Sequence, residues 1–185
     1  ILDGVGSYDL NLGTGSLSSG NYDFNLIKGN LTVNKASLLA KAEDTSRIYG
    51  DAEPQVRVTY SGFKNNETFA NSKITGAPGI TIQAVPTSPV SETKYPIEIG
   101  IGSLFSRNYD IGFENGGLLI EKAPLVIRVK DTSRIYGESD PVWEVIYQGF
   151  KNNEGKATSG VAGDPQYATN SDIMSGVGDY DIELT

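Results

Sequence analysis

Seven consecutive residues, DTSRIYG, are spelled twice in this chain, at Asp44–Gly50 and again at Asp131–Gly137. A word repeated 87 positions apart constrains the fold more than any local propensity. Each period must be one supersecondary unit that buries its apolar face within itself or against its neighbours. The register extends well beyond the word. GFKNNE stands at Gly62–Glu67 and Gly149–Glu154, and NYDF at Asn21 meets NYDI at Asn108. Lys35-Ala36 meets Lys122-Ala123, Pro54 meets Pro141, Tyr60 meets Tyr147, and Tyr8 meets Tyr95. Tyr95 then meets Tyr180 at an offset of 85, so two residues are missing between Glu154 and Tyr180. ILDGVGSYDL at Ile1 therefore matches IMSGVGDYDI at Ile173, and the chain holds two full periods plus 13 residues of overlap.

Within each period the pattern is strand after strand. Tyr8, Leu10 and Leu12 alternate with polar residues, as do Tyr22, Phe24 and Leu26, then Leu31 and Val33. Val56, Val58 and Tyr60 follow, then Ile80 and Ile82, and the second period repeats the series through Trp143, Val145 and Tyr147. Period-two alternation places one face of each strand in a core. Turn signals such as Lys28-Gly29-Asn30 and Glu114-Asn115-Gly116-Gly117 separate the strands. The expected class is all-β: tandem small β-sandwich-like modules of about six to seven short strands each. At most one short helical turn per repeat is expected, after Asn66 and Asn153.

The composition removes several functions. There is no cysteine and no histidine, so thiol and imidazole catalysis and the commonest metal ligands are absent. The net charge of −8 argues against a nucleic-acid partner, whose backbone is bound by Lys and Arg. No apolar run is long enough to span a bilayer, and no Gly-rich phosphate loop opens a helix. A pair of carboxylates such as Asp9 and Asp23, or Asp44 and Glu67, could in principle serve a glycosidase. Repeated turn acids are the plainer reading, and the chain reads as no enzyme, with no cofactor. It starts abruptly, without a leader, and reads as a piece of something longer.

The repeated words admit two readings. DTSRIYG and its trailing proline fit a strand-to-strand connection built by Asp44, Arg47, Tyr49, Gly50 and Pro54, and again by Asp131, Arg134, Tyr136, Gly137 and Pro141. The acids would shape the turn, the glycines would supply a backbone angle closed to other residues, and the tyrosines would cap the module, bonding backbone as a corner tyrosine does. Alternatively, Asp44, Asp51 and Glu53, with Asp131, Glu138 and Asp140, could hold calcium or a sugar. GFKNNE would anchor Phe63 and Phe150 in a core and expose a polar turn, or bind a glycan through its amides. A Lys–Asn crosslink using Lys35 or Lys122 with Asn21 or Asn108 is a further option.

LTVNKASLLAKAEDTSRIYGDAEPQVRVTYSGFKNNET resembles an MBG-type repeat (the YGX kind) of bacterial cell-surface proteins. The matching signals are Tyr49-Gly50 with Pro54, Gly62-Phe63, Val5 to Tyr8, Asn21 to Phe24 and Leu31 to Ala36; the second copy has Tyr136-Gly137 with Pro141, Gly149-Phe150, Asn108 to Ile111 and Leu118 to Ala123. The family's NGDT turn reads NNET at Asn65 and NNEG at Asn152, and VGxY reads ETKY before Tyr95. The resemblance implies tandem modules in secreted or wall-anchored adhesin-like proteins, and brings no catalytic residue. It also implies a division into 1–35 (the tail of one repeat), 36–122 (a whole repeat) and 123–185 (the front of the next). Two units, 1–92 and 93–185, are the alternative.

The expected function is a non-enzymatic stalk on the bacterial cell surface or cell wall, projecting a distal domain. The alternative is an adhesin module that holds a glycan or host protein in its loops. Trp143 takes the place of Val56 in the alternating core pattern, which favours core over sugar platform. Neighbouring repeats are the expected partners, without membrane insertion, and a monomer is expected in solution.

Overall fold

The computed structural model describes residues 4–184. Ile1–Asp3, part of the repeated opening, and Thr185 lie outside the described residues. The chain divides into two compact units, one of residues 1–45, 55–83 and 95–118, the other of 46–54, 84–94 and 119–185. No helix occurs among the described residues, so none could cross a membrane. The architecture is all-β, as the alternation predicts.

In the first unit, β1 (Gly6–Leu10) pairs antiparallel with β2 (Gly29–Val33), Tyr8 opposite Leu31. β3 (Ala36–Ala42) is the centre of a three-stranded sheet. It pairs antiparallel with β5 (Val58–Ser61) and in parallel with β8 (Tyr109–Glu114), Leu38 opposite Ile111. A parallel pair needs a long crossover, and the stretch between β3 and β8 supplies it. β6 (Gly79–Ile82) pairs with β7 (Tyr95–Gly100), and β7 pairs with the start of β9 (Gly116–Glu121), Tyr95 opposite Leu118. This register repeats that of Tyr8 and Leu31.

β9 continues into the second unit. There its end neighbours β4 (Thr45–Ile48). The second unit also holds β10 (Val126–Val129) paired with β11 (Val145–Gln148), and β12 (Tyr167–Thr169) paired with β13 (Ile182–Leu184).

Alternation explains the core. Leu38, Ala40 and Ala42 on β3 are buried, while Ser37 and Leu39 face outward. Leu38, Ile74, Leu104 and Tyr109 form one buried cluster, sheathed by Ala36, Tyr60, Phe63, Phe69, Ile111 and Phe113. Tyr60 stacks on Phe69 at 4.7 Å between ring centroids, and Phe63 meets Tyr109 edge-on at 5.6 Å. Phe63 thus anchors GFKNNE in the core, as expected. Gly62, just before it, has φ +107° and lies so close to β3 that a Cβ would stand 2.8 Å from the Ser37 carbonyl oxygen. The two asparagines of the word also have a backbone reason. Asn65 and Asn66 are both left-handed (φ 56° and 57°), and so are Asn152 and Asn153 (φ 52° and 59°). Asparagine tolerates that region better than most residues with a side chain. The short turn after Asn66 takes the form of hydrogen bonds from the Asn71 and Ser72 amides to the Thr68 carbonyl.

Some expected strands are missing. Residues 22–28 alternate like a strand but form none, although their counterparts make β8. The difference is pairing: β8 lies against β3, whereas residues 22–28 take part in no strand pairing. Residues 132–135 match β4 yet carry no strand, and Trp143 precedes β11 rather than joining it.

Leu38→Ala is expected to lower stability by about 3 kcal/mol, since it empties a closed core. Its counterpart Leu125 is only half-buried, so Leu125→Ala should cost less than half as much. Urea melts of the two variants check the order.

Candidate functional site

Among the described residues of the second unit, Arg47 is the one charged side chain that is almost wholly buried. Its Nη2 donates to Glu53 Oε1 at 3.1 Å and to the Val85 carbonyl at 2.7 Å, and its Nη1 donates to the Ile48 carbonyl. Burial of an unpaired guanidinium would be prohibitive, so these acceptors fix the loop around the arginine. Arg134 repeats the arrangement. Its Nε donates to Asp140 Oδ1 at 2.8 Å, its Nη1 to the Glu138 carbonyl, and its Nη2 to the Asp172 carbonyl. Asp140 and Asp172 stand 87 positions after Glu53 and Val85. The arginine is therefore the centre of the repeated word, a clamp that ties the DTSRIYG loop to a distant carbonyl. Position in the sequence gave its recurrence but not this role; the recurring acid six residues after it was the available signal.

The six candidate calcium ligands are dispersed by their partners. Asp44 Oδ1 accepts from the Gly117 amide at 2.7 Å, Glu53 and Asp140 are held by the arginines, and Asp51 pairs with Lys151 at 2.9 Å. Glu138 lends its backbone carbonyl to Arg134, and Asp131 lines a cleft of about 490 Å³ beside Arg134 and Trp143. Among the described residues no three such side chains gather into a metal-binding group. The crosslink candidates also have other neighbours. Lys35 Nζ donates to the Ser106 carbonyl, and Asn108 Oδ1 accepts from the Val5 amide. Asn21 and Lys122 are exposed.

The tyrosine of the word departs from expectation. Tyr49 does not bond backbone as a corner tyrosine would; its hydroxyl donates to Glu154 Oε1 at 2.6 Å. The corner role falls instead to Tyr8 and Tyr180, each of which donates to the carbonyl four residues earlier, Gly4 and Gly176. Gly50 is in the left-handed region (φ +82°), and a Cβ there would stand 2.3 Å from the Lys151 Cβ. Tyr49, Gly50 and Asp51 thus seat on Lys151 and Glu154. The first word of one copy latches onto the second word of the following copy, a link that reading the two words as separate turns misses. Opposite charge at Asp51 and Lys151 was the only sequence signal for it. In the preceding copy, Glu67 Oε2 accepts from Tyr109, whose hydroxyl also accepts from the Lys64 amide.

Burial, and next the bond to Glu67, raises the Tyr109 pKa; the bond to Glu154 raises that of Tyr49. A raised folded-state value means stability that is complete below the unfolded tyrosine's pKa of about 10 and is lost as pH climbs through the folded value. Stability should therefore fall above about pH 10, and Tyr109→Phe should flatten that fall. Urea midpoints against alkaline pH, alongside tyrosinate absorbance, measure it. Gly50→Ala and Gly137→Ala share one φ of +82°, and each should cost about 1 kcal/mol for it. Only Gly50 adds a clash with Lys151, while Gly137 has nothing nearby, so Gly50→Ala should melt at least twice as far below the parent.

No curated protein and no solved structure matches the chain. The family model of the MBG domain (YGX type) matches twice, over residues 38–119 and 125–185. Each match carries one DTSRIYG clamp and one GFKNNE turn, and together they span most of the sequence: the chain belongs to the MBG domain family of the YGX type.

Proposed function

We propose that this chain is a non-enzymatic stalk segment of a bacterial cell-surface protein, with its repeats spacing a distal adhesive domain from the cell wall. The carrying observation is where the repeated polar side chains go. Arg47 and Arg134 each hold their own loop through the acid six residues on and the carbonyl thirty-eight residues on, and Tyr49 and Asp51 hold the next copy's turn. A repeated ligand site would leave such groups turned toward solvent, whereas a structural repeat uses them internally. Membership in a family of repeated modules agrees with length that scales with copy number.

Binding of a glycan or host protein through the loops is the competing reading, and one pair of measurements separates the two. On a glycan array the chain is expected to bind nothing, and chelator is expected to leave its melting midpoint within about a degree. A calcium ion held at a hundredfold excess over its dissociation constant would add roughly 2.7 kcal/mol and shift the melt visibly. One glycan captured through both copies would overturn the stalk.

A further inference from the structure

β3 and β8 run in the same direction, with Ala36 beside Tyr109 and Lys41 beside Glu114, six register pairs in all. Tension along the chain enters β3 at its N-terminal end and leaves β8 at its C-terminal end. In an antiparallel pair those two points would lie at one end of the ladder, and pulling would open its bonds one after another. In a parallel pair they lie at opposite ends. The strands are then drawn past one another, and every bond of the ladder is loaded at once. Both ends of the pair are also braced. At the entry, the Ala36 amide donates to the Asn108 carbonyl at 2.9 Å, and Lys35 Nζ donates to the Ser106 carbonyl at 3.2 Å. At the exit, Lys41 Nζ pairs with Glu114 Oε1 at 2.7 Å. One face of the pair is dry: Leu38 and Ala40 of β3 and Tyr109 of β8 are buried. Water cannot reach the stretching bonds from that side, and hydrogen bonds are stronger in such surroundings. β5, β6 and β7 lie in the stretch of chain between the two strands, off the line of force while the pair holds.

We propose that the parallel β3–β8 pair is a mechanical clamp, the load-bearing element that keeps the repeat folded when the chain is pulled along its length. Resistance of this kind is kinetic. Forced unfolding follows the unfolding rate rather than the equilibrium stability, so what counts is the barrier to sliding one strand past the other. The clamp is also directional. The bonds that resist together when the strands slide give way singly when the strands are peeled apart from one end. The proposal rests on the stalk reading for its purpose, because a spacer that holds a distal domain transmits whatever force that domain meets. The forces themselves depend on topology alone. Equal forces in the two directions would remove the clamp and leave a compliant stalk, whereas a captured glycan would remove the stalk and leave the forces as they are.

The chain has no cysteine, so a pair of introduced cysteines gives unique handles for single-molecule pulling on the whole molecule. Asn34→Cys with Glu114→Cys places the handles at opposite ends of the pair and slides the strands. Asn34→Cys with Arg107→Cys places them at one end and peels the strands. All three positions are exposed. At one pulling rate, the unfolding force on sliding is expected to exceed that on peeling by about twofold or more, since the bonds share the load in the first case and bear it singly in the second. Equal forces, or a lower force on sliding, would overturn the clamp. Asn34→Cys with Lys122→Cys, also exposed, slides the strands with the Lys41–Glu114 pair intact, and it keeps the test open should the Glu114 variant not fold. Its force is expected to match or exceed that of the Glu114 variant, and a force no greater than that on peeling would count against the clamp in the same way.

Discussion

The parallel pairing of β3 with β8 is the contact on which a whole repeat depends. It joins the front of the period to its tail, 73 positions from Ala36 to Tyr109, and it brings Leu38 into one cluster with Tyr109. Two-stranded ribbons are marginal in water; three strands with an apolar face are not. Where the pairing exists, a three-stranded sheet and a closed core follow. Where it does not, as at residues 22–28, the same alternating letters leave Tyr22 and Phe24 on the surface without a strand. The chain thus carries its own control experiment. Local pattern is held constant between copies, the long-range partner is varied, and the partner decides.

This division also explains what was legible in the sequence. Fold class, period and family could be read because they are written in short-range terms: alternation along strands, glycine at turns, one word per unit. The burial of Leu38, Leu118 and Tyr109 follows from the same alternation. What escaped is whatever depends on the third dimension. Arg47 looked like one more polar residue of a turn until the Val85 carbonyl, thirty-eight positions away, appeared as its acceptor. Tyr49 was assigned a corner that Tyr8 and Tyr180 occupy, because a hydroxyl's partner is set by which loop arrives beside it and not by its own neighbours in sequence. The paired asparagines were legible as a turn but not as two successive left-handed residues.

Interaction strengths fix the hierarchy among the contacts between copies. The Asp51–Lys151 pair is about two-fifths exposed on each side, and such pairs contribute roughly 0.2–1 kcal/mol and weaken with salt. The Tyr49–Glu154 bond is charge-assisted, but it also lies partly in water, which limits it to the same order. A latch of that size cannot hold two free molecules together against the several kcal/mol lost in translation and rotation. It can bias two modules already joined by a short linker, where the local concentration is millimolar.

Apolar burial is the term large enough to change this balance. Covering a leucine or aromatic side chain is worth about 1.5–3 kcal/mol, and the tail presents Leu17, Tyr22, Phe24 and Leu31 together in an exposed state. The counterparts of Leu17, Tyr22 and Leu31 in the central copy, which are Leu104, Tyr109 and Leu118, are all buried. The small polar latch supplies direction. It accepts Tyr-Gly-Asp on Lys-Asn-Asn-Glu and tolerates no side chain at Gly50. Apolar burial alone would let a tail settle on any greasy groove. A glycine-tight contact with one sign of charge on each side admits only the next copy in the correct order, and this is the selectivity that a chain of near-identical modules requires.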